Sequence, residues 1–179
     1  ELDEHATKRI VAILADLKKQ GKTILLIEHK YSHFQDLIDT LVVMENGTIS
    51  AIGKPEKVLA DDRIRSIVIA DFSGIRTPVQ HIQDCALPLG LSNPIIQVQD
   101  LSYAYGDILA LDSISLTIRS GEFVALVGEN GSGKTTLVKH FNGLLTPSRG
   151  DVIINGKNTR ECSITDLARY VGLVFQNPD

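Results

Sequence analysis

Gly121-Glu122-Phe123-Val124-Ala125-Leu126-Val127-Gly128-Glu129-Asn130-Gly131-Ser132-Gly133-Lys134-Thr135-Thr136 is the run from which the rest of this 179-residue chain can be read. Its first half is a short, continuous apolar segment bounded by glycine, the pattern of a central strand covered on both faces. Its second half, Gly128 to Thr136, fits G-x-x-x-x-G-K-S/T, a phosphate-binding loop. Glycines at fixed places let the backbone take conformations closed to other residues, so successive N–H groups can turn inward on an anion. Lys134 then opens a helix that is predicted to end at Gly143, and the helix N-terminus adds partial positive charge at the phosphates. In this pattern Lys134 reaches the β- and γ-phosphates and the Thr135 hydroxyl ligates Mg²⁺. The expected ligand is therefore a nucleoside triphosphate with Mg²⁺. A chance glycine-rich turn is the bland alternative, and strand, loop and helix in the required order argue against it.

Only 43 residues follow Thr136. A P-loop NTPase needs more chain to supply its second acidic motif, so the nucleotide-binding unit that begins here is expected to be unfinished. The chain also begins at Glu1, inside what reads as the start of a helix, and a piece of a longer protein is expected.

Composition is ordinary for a globular domain: 43% hydrophobic, 22% charged, net charge −4. There is no global basic field of the kind that draws nucleic acid. Cys85 and Cys162 are far apart and unpatterned, which fits a reducing compartment better than a disulfide framework or a zinc site. No apolar stretch approaches the roughly 20 residues that span a bilayer, and no signal peptide is visible.

Upstream, Leu2-Asp3-Glu4 leads into a predicted helix with Ile10, Ile13, Leu14 and Leu17 on one face and Lys18 and Lys19 in its last turn. Thr23 to His29 reads as a buried strand, and Phe34 to Ile38 as a short amphipathic helix. Two apolar strands flank Asn46-Gly47, a tight-hairpin signal, and Pro55 opens another short helix. Residues 74–94, punctuated by Pro78, Pro88, Gly90 and Pro94, read as a linker. From Ile95 onward, Ile96 and Val98, then Ile114, Leu116 and Ile118, alternate with polar residues as half-buried antiparallel strands do. Ser163 to Asp166 is a capping-box-like helix start, and Val171 to Phe175 a last strand.

The second segment resembles the start of the ATPase subunit of ATP-binding-cassette (ABC) transporters. The resemblance rests on Leu101-Ser102-Tyr103-Ala104-Tyr105, Ala110-Leu111-Asp112-Ser113-Ile114-Ser115-Leu116, the loop itself and Val174-Phe175-Gln176. The first segment resembles the end of the same domain: Leu2-Asp3 is similar to the D-loop, Ile27-Glu28-His29 to the switch-histidine strand, and Met44 to Ile49 to the hairpin after it. Asn142-Gly143-Leu144-Leu145 and Phe175-Gln176-Asn177-Pro178-Asp179 are most similar to energy-coupling-factor and cobalt-type members, some of which carry two cassettes in one chain.

The resemblance implies an α/β fold of the P-loop NTPase, ABC type, with a mixed sheet and an antiparallel β subdomain. It implies two partial domains: 1–73 as the end of a first cassette, 74–94 as the linker, 95–179 as the start of a second. It implies that Tyr105 stacks on adenine, with Tyr103 as competitor and a core tyrosine as the plain alternative. It also implies that Gln176 contacts Mg²⁺ or the attacking water, and that His29 contacts the γ-phosphate. It implies that Asp3 lies across the interface between paired cassettes, with a helix N-cap as the plain alternative or an added role. ATP and Mg²⁺ are the implied cofactors. The implied partners are a transmembrane coupling subunit, a substrate-binding membrane subunit and a second cassette, with no nucleic acid, at the cytoplasmic face of the membrane. A soluble tandem ABC protein of translation or DNA repair is the alternative, and a small-molecule kinase would leave the first segment unexplained. No Leu-Ser-Gly-Gly-Gln run occurs, and no strand ends in an Asp-Glu pair, so a nucleotide cradle without a catalytic base is expected. A further alternative has the two segments closing on each other into one permuted core.

Overall fold

The computed structural model describes residues 4–27, 33–69 and 93–172. Among these, the elements in chain order are α1 (Glu4–Lys19), β1 (Ile24–Ile27), a 3₁₀ turn (Gln35–Leu37), β2 (Thr40–Glu45), β3 (Thr48–Gly53), α2 (Pro55–Val58) and α3 (Asp62–Ile69). The second segment supplies β4 (Pro94–Tyr105), β5 (Ile108–Arg119), β6 (Phe123–Val127), α4 (Lys134–Phe141), β7 (Arg149–Ile154), β8 (Lys157–Asn158), a second 3₁₀ turn (Thr159–Glu161) and α5 (Ile164–Leu167).

Two sheets form. One is mixed, in the order β1-β6-β2-β3: β1 and β2 each run parallel to β6, and β3 closes antiparallel on β2. The other is antiparallel, in the order β5-β4-β7-β8. The first sheet joins the two segments of the chain. β6, from the second, lies between β1 and β2, from the first, with Ile24 opposite Phe123 and Thr40 opposite Val124. Polar contacts fasten the same seam. Asp39 N–H donates to Phe123 O at 2.8 Å, Phe123 N–H donates to Asp39 Oδ2 at 2.9 Å, and Ile24 N–H donates to Glu122 O at 3.0 Å. The Thr40 hydroxyl donates to Glu122 Oε1, and Asp39 is itself paired within the first segment with Lys18, Oδ1 to Nζ at 2.8 Å.

All five residues of β6 are buried because both of its faces are covered. Val124 and Leu126 point into a cluster with Leu137, Val138 and Phe141 of α4 and the inner face of the antiparallel sheet. Phe123, Ala125 and Val127 point the other way, against Phe34, Ile64 and Val68 with Ile10 and Leu14 of α1 packed on them. Each such fully buried aliphatic or aromatic side chain contributes about 1.5–3 kcal/mol relative to exposure.

Several expectations take a different form. β1 is half-buried rather than buried throughout, because it is the edge of its sheet within the described residues. The expected helix at Phe34 to Ile38 is a single 3₁₀ turn, too short to bury a face of its own. On α1, Ile10 and Leu14 face the core as expected with Val11 beside them, while Ile13 is 57% exposed. Helix α3 has no counterpart in the sequence reading, yet its Ile64 and Val68 are core residues. The Asn46-Gly47 hairpin is as expected: Asn46 (φ 48°) and Gly47 (φ 78°) both take the left-handed conformation that a two-residue primed turn requires. Most of the linker lies outside the described residues, as does the strand expected from Val171 to Phe175 beyond Gly172.

Candidate functional site

The loop leaves β6 at Gly128 and enters α4 at Lys134. Gly128, Gly131 and Gly133 all have positive φ (149°, 83° and 99°). At Gly128 the need for glycine is also steric, since a Cβ there would run into the Met44 carbonyl oxygen and lie 2.9 Å from Ser132 Oγ. Gly133 caps α4 in the left-handed conformation, and a Cβ would sit 2.8 Å from the Ala110 carbonyl oxygen. These contacts hold the loop against β2 and β5. The hairpin turn of the first segment completes the support: Gly47 N–H donates to Ser132 O at 3.1 Å, and Asp112 N–H donates to Gly47 O at 2.9 Å.

Lys134 is buried and folds back over the loop. Its Nζ donates to Gly128 O and Glu129 O, each at 2.8 Å, and to Ser132 Oγ at 3.3 Å. Burial holds its pKa below the ordinary lysine value, because the charged form loses hydration. The ammonium is thus held by two loop carbonyls and one loop hydroxyl. Glu129, Asn130 and Gly131 form the exposed rim, Ser132 is buried beneath it, and Thr135 is exposed on the first turn of α4 with Thr136 half-buried behind. N–H groups of a helix's first turn have no partner within the helix, so those of α4 are available to an anion over the loop.

The arrangement can grip a polyphosphate: positive-φ glycines, a helix N-terminus and one ammonium converge on the same side. Mg²⁺ fits as well. It commonly takes one or two protein oxygens and completes its shell from phosphate and water, and the Thr135 hydroxyl is exposed where such a shell would form. No cluster of three or more His, Cys, Asp or Glu able to hold a metal by itself occurs among the described residues.

Tyr105 ends β4, 47% exposed, and Tyr103, two residues earlier on the same face of the strand, is half-buried against the core. The more accessible ring is the one favoured by the sequence reading. His29, Asp3 and Gln176 lie outside the described residues. Sequence reasoning missed two contributors. Gly47 reaches the loop from the first segment, signalled only as a hairpin turn. His140 on α4 is fully buried, with Nδ1 2.8 Å from the Thr136 carbonyl oxygen, and nothing in the spacing singles it out.

The chain is similar to several known proteins. Residues 111–179 match the family described as ABC transporter. Over its full length the chain is 44% identical to a protein of Methanosarcina acetivorans named as an ABC transporter ATP-binding protein, of which it covers 33%. It is 48% identical over 91 residues to the energy-coupling factor transporter ATP-binding protein EcfA1 of Lactiplantibacillus plantarum, covering 49% of this chain and 32% of that protein. The solved structure of cbiO1 from Clostridium perfringens, described as part of the ABC transporter complex cbiONQ, is 40% identical over 48% of this chain and 35% of that one, with a TM-score of 0.44. The chain spans about a third of the length of the curated relatives it matches. The fold is that of the ABC-type P-loop NTPases, and the relatives are ATP-binding proteins of ABC transporters.

Proposed function

We propose that this chain is part of the ATP-binding component of an ABC importer of the energy-coupling-factor or cobalt type. That component couples ATP hydrolysis to uptake of a vitamin or metal ion. The observation that carries the proposal is Lys134, buried and donating to the carbonyls of a loop in which Gly128 and Gly133 have no room for side chains. An ammonium held there meets the β- and γ-phosphates as they enter, exchanging loop carbonyls for phosphate oxygens.

In the proposed complex Tyr105 stacks on adenine. Gly128, Glu129, Asn130, Gly131, Ser132 and Gly133 wrap the phosphates, and Thr135 and Thr136 take the helix-terminal end. Mg²⁺, held by Thr135 and Gln176, would neutralise charge on the phosphates. His29 and Asp3 serve the γ-phosphate and the interface between cassettes. In chain order residues 1–73 are the end of one cassette and 95–179 the start of a second, joined by 74–94, and in this chain the two segments close into one core, with β6 of the second between β1 and β2 of the first. Support for this order comes from the Methanosarcina relative, which aligns across both segments within a longer protein. The partners are a transmembrane coupling subunit, a substrate-binding membrane subunit and a paired cassette, at the cytoplasmic face of the membrane. No helix among the described residues is long and apolar enough to cross a membrane, which is consistent with peripheral attachment through partners.

This chain alone binds ATP·Mg and does not turn it over, since the Asp-Glu pair in its sequence, Asp3-Glu4, follows no apolar run. The test is titration calorimetry with ATP·Mg alongside a steady-state phosphate-release assay. Binding that Lys134→Ala abolishes, without phosphate release, supports the proposal. Phosphate release that Lys134→Ala removes would show that this chain supplies its own base.

A further inference from the structure

The ring of Tyr105 does not stand alone. Tyr103 packs its ring edge-to-face against it, centroids 5.0 Å apart and planes at 84°. Tyr103 also meets His140 in the same manner, at 4.9 Å and 76°. His140 lies on α4, and its Nδ1 is 2.8 Å from the carbonyl oxygen of Thr136, two residues beyond Lys134. An unbroken line of contacts therefore runs from the first turn of α4, at the phosphate end of the site, through two rings to the exposed ring at the other end.

His140 is an expensive choice for packing alone. It is fully buried, and its Nε2 has no hydrogen-bond partner. A phenylalanine or leucine would fill the space without stranding a polar atom, and an orphaned buried polar atom calls for an explanation. The histidine does what those residues cannot: Nδ1–H anchors the ring to the first turn of α4 while the ring itself meets Tyr103 edge-to-face. Edge-to-face contacts are directional, because the positive edge of one ring prefers the negative face of the next. Each ring in the series thus orients its neighbour, and Tyr105, touched on its inner side by Tyr103, keeps its outer side open.

We propose that Tyr103 and His140 are positioning residues that hold the plane of Tyr105 in register with the phosphate loop, so that base and triphosphate are recognised as one rigid unit. The proposal rests on the reading of Tyr105 as the base-stacking residue.

The test compares two probes, ATP·Mg and inorganic tripolyphosphate·Mg, binding to this chain by calorimetry. Tyr103→Leu is expected to weaken ATP binding about three- to tenfold, the scale of one aromatic pair, and to leave tripolyphosphate binding within about twofold. Tyr103→Phe, which keeps the ring, is expected to restore ATP binding. If Tyr103→Leu loses its cooperative melt, Tyr103→Met, which fills the volume without a ring, carries the same comparison. Parallel losses for both probes, or no loss for ATP, would overturn the positioning role. A wild-type chain that binds tripolyphosphate as tightly as ATP would instead overturn the base-stacking reading of Tyr105, and the proposal with it. A wild-type chain that binds neither probe would overturn the phosphate site itself.

Discussion

Gly47→Ala tests whether the hairpin of the first segment is a structural part of the phosphate site. Gly47 has φ +78°, and a Cβ there would lie 2.7 Å from the Ala110 carbonyl oxygen, 3.1 Å from its carbon and 3.4 Å from Leu111 Cα. All three are backbone atoms of β5, so no side-chain rotation relieves the contact. Two terms add. Placing an L-residue in the left-handed region costs about 1–2 kcal/mol, and forcing an extra methyl into a filled space costs about 1–3 kcal/mol. The expected loss is about 2–5 kcal/mol. Gly21 provides the internal control: its φ is +74°, but a Cβ there meets nothing within 4 Å, so Gly21→Ala should lose only the conformational term, about 1–2 kcal/mol. Urea unfolding of both variants measures the difference through the midpoint at constant slope. Because Gly47 N–H donates to Ser132 O, the Gly47 variant should also bind ATP·Mg more weakly, whereas the Gly21 variant should not. Equal midpoint shifts for the two variants would refute the crowding reasoning. A destabilised Gly47 variant with wild-type nucleotide affinity would refute the coupling to the loop.

Other expectations follow from single contacts. Asp39→Ala leaves Phe123 N–H without its carboxylate acceptor at the seam between segments, and should destabilise by about 1–3 kcal/mol in urea unfolding; the half-exposed pair with Lys18 adds about 1 kcal/mol at most. The pKa of His140 is held below its ordinary 6.5 by burial, with the Arg160 charge acting in the same direction and the Thr136 carbonyl opposing. The unfolded chain therefore takes up the proton first as pH falls below 6.5, and stability is lost from there down to the folded value. Thermal melts from pH 7 to pH 5 should fall less steeply for His140→Phe than for the wild type. Ser163 Oγ accepts from Asp166 N–H at 3.1 Å as the cap of α5, so Ser163→Ala should lower the unfolding free energy by about 0.5–2 kcal/mol.

Much of the site was legible because its chemistry is local. The glycine and lysine spacing of Gly128 to Thr136 prescribes a strand, a turn of positive-φ residues and a helix start, and β6, the loop and α4 follow that prescription. Asn46-Gly47 and Ser163 were legible for the same reason: a tight turn and a cap are decided within four residues. Burial of Ile13 was misjudged because a helical period identifies a face without saying how far the neighbouring layer extends. Helix α3 went unseen because its amphipathic stretch is short and follows closely on another helix.

The sequence by itself determined that a strand, a glycine-rich turn and a helix start succeed one another around Gly128 and that strands of both parallel and antiparallel type surround them. Which strands flank β6 was decided only by tertiary structure. An apolar strand specifies that it must be covered, but hydrophobic burial is non-directional and does not name the partner. The pairing of β6 with β1 and β2 spans roughly a hundred residues of chain and is held by the register of Ile24 on Phe123 and Thr40 on Val124, together with Asp39 and Glu122 at the seam. The same holds for the loop's surroundings. Lys134 was legible as the lysine of the loop motif, while the Gly47 turn beneath the loop and the rings behind Tyr105 became its surroundings only when separate segments packed into one core.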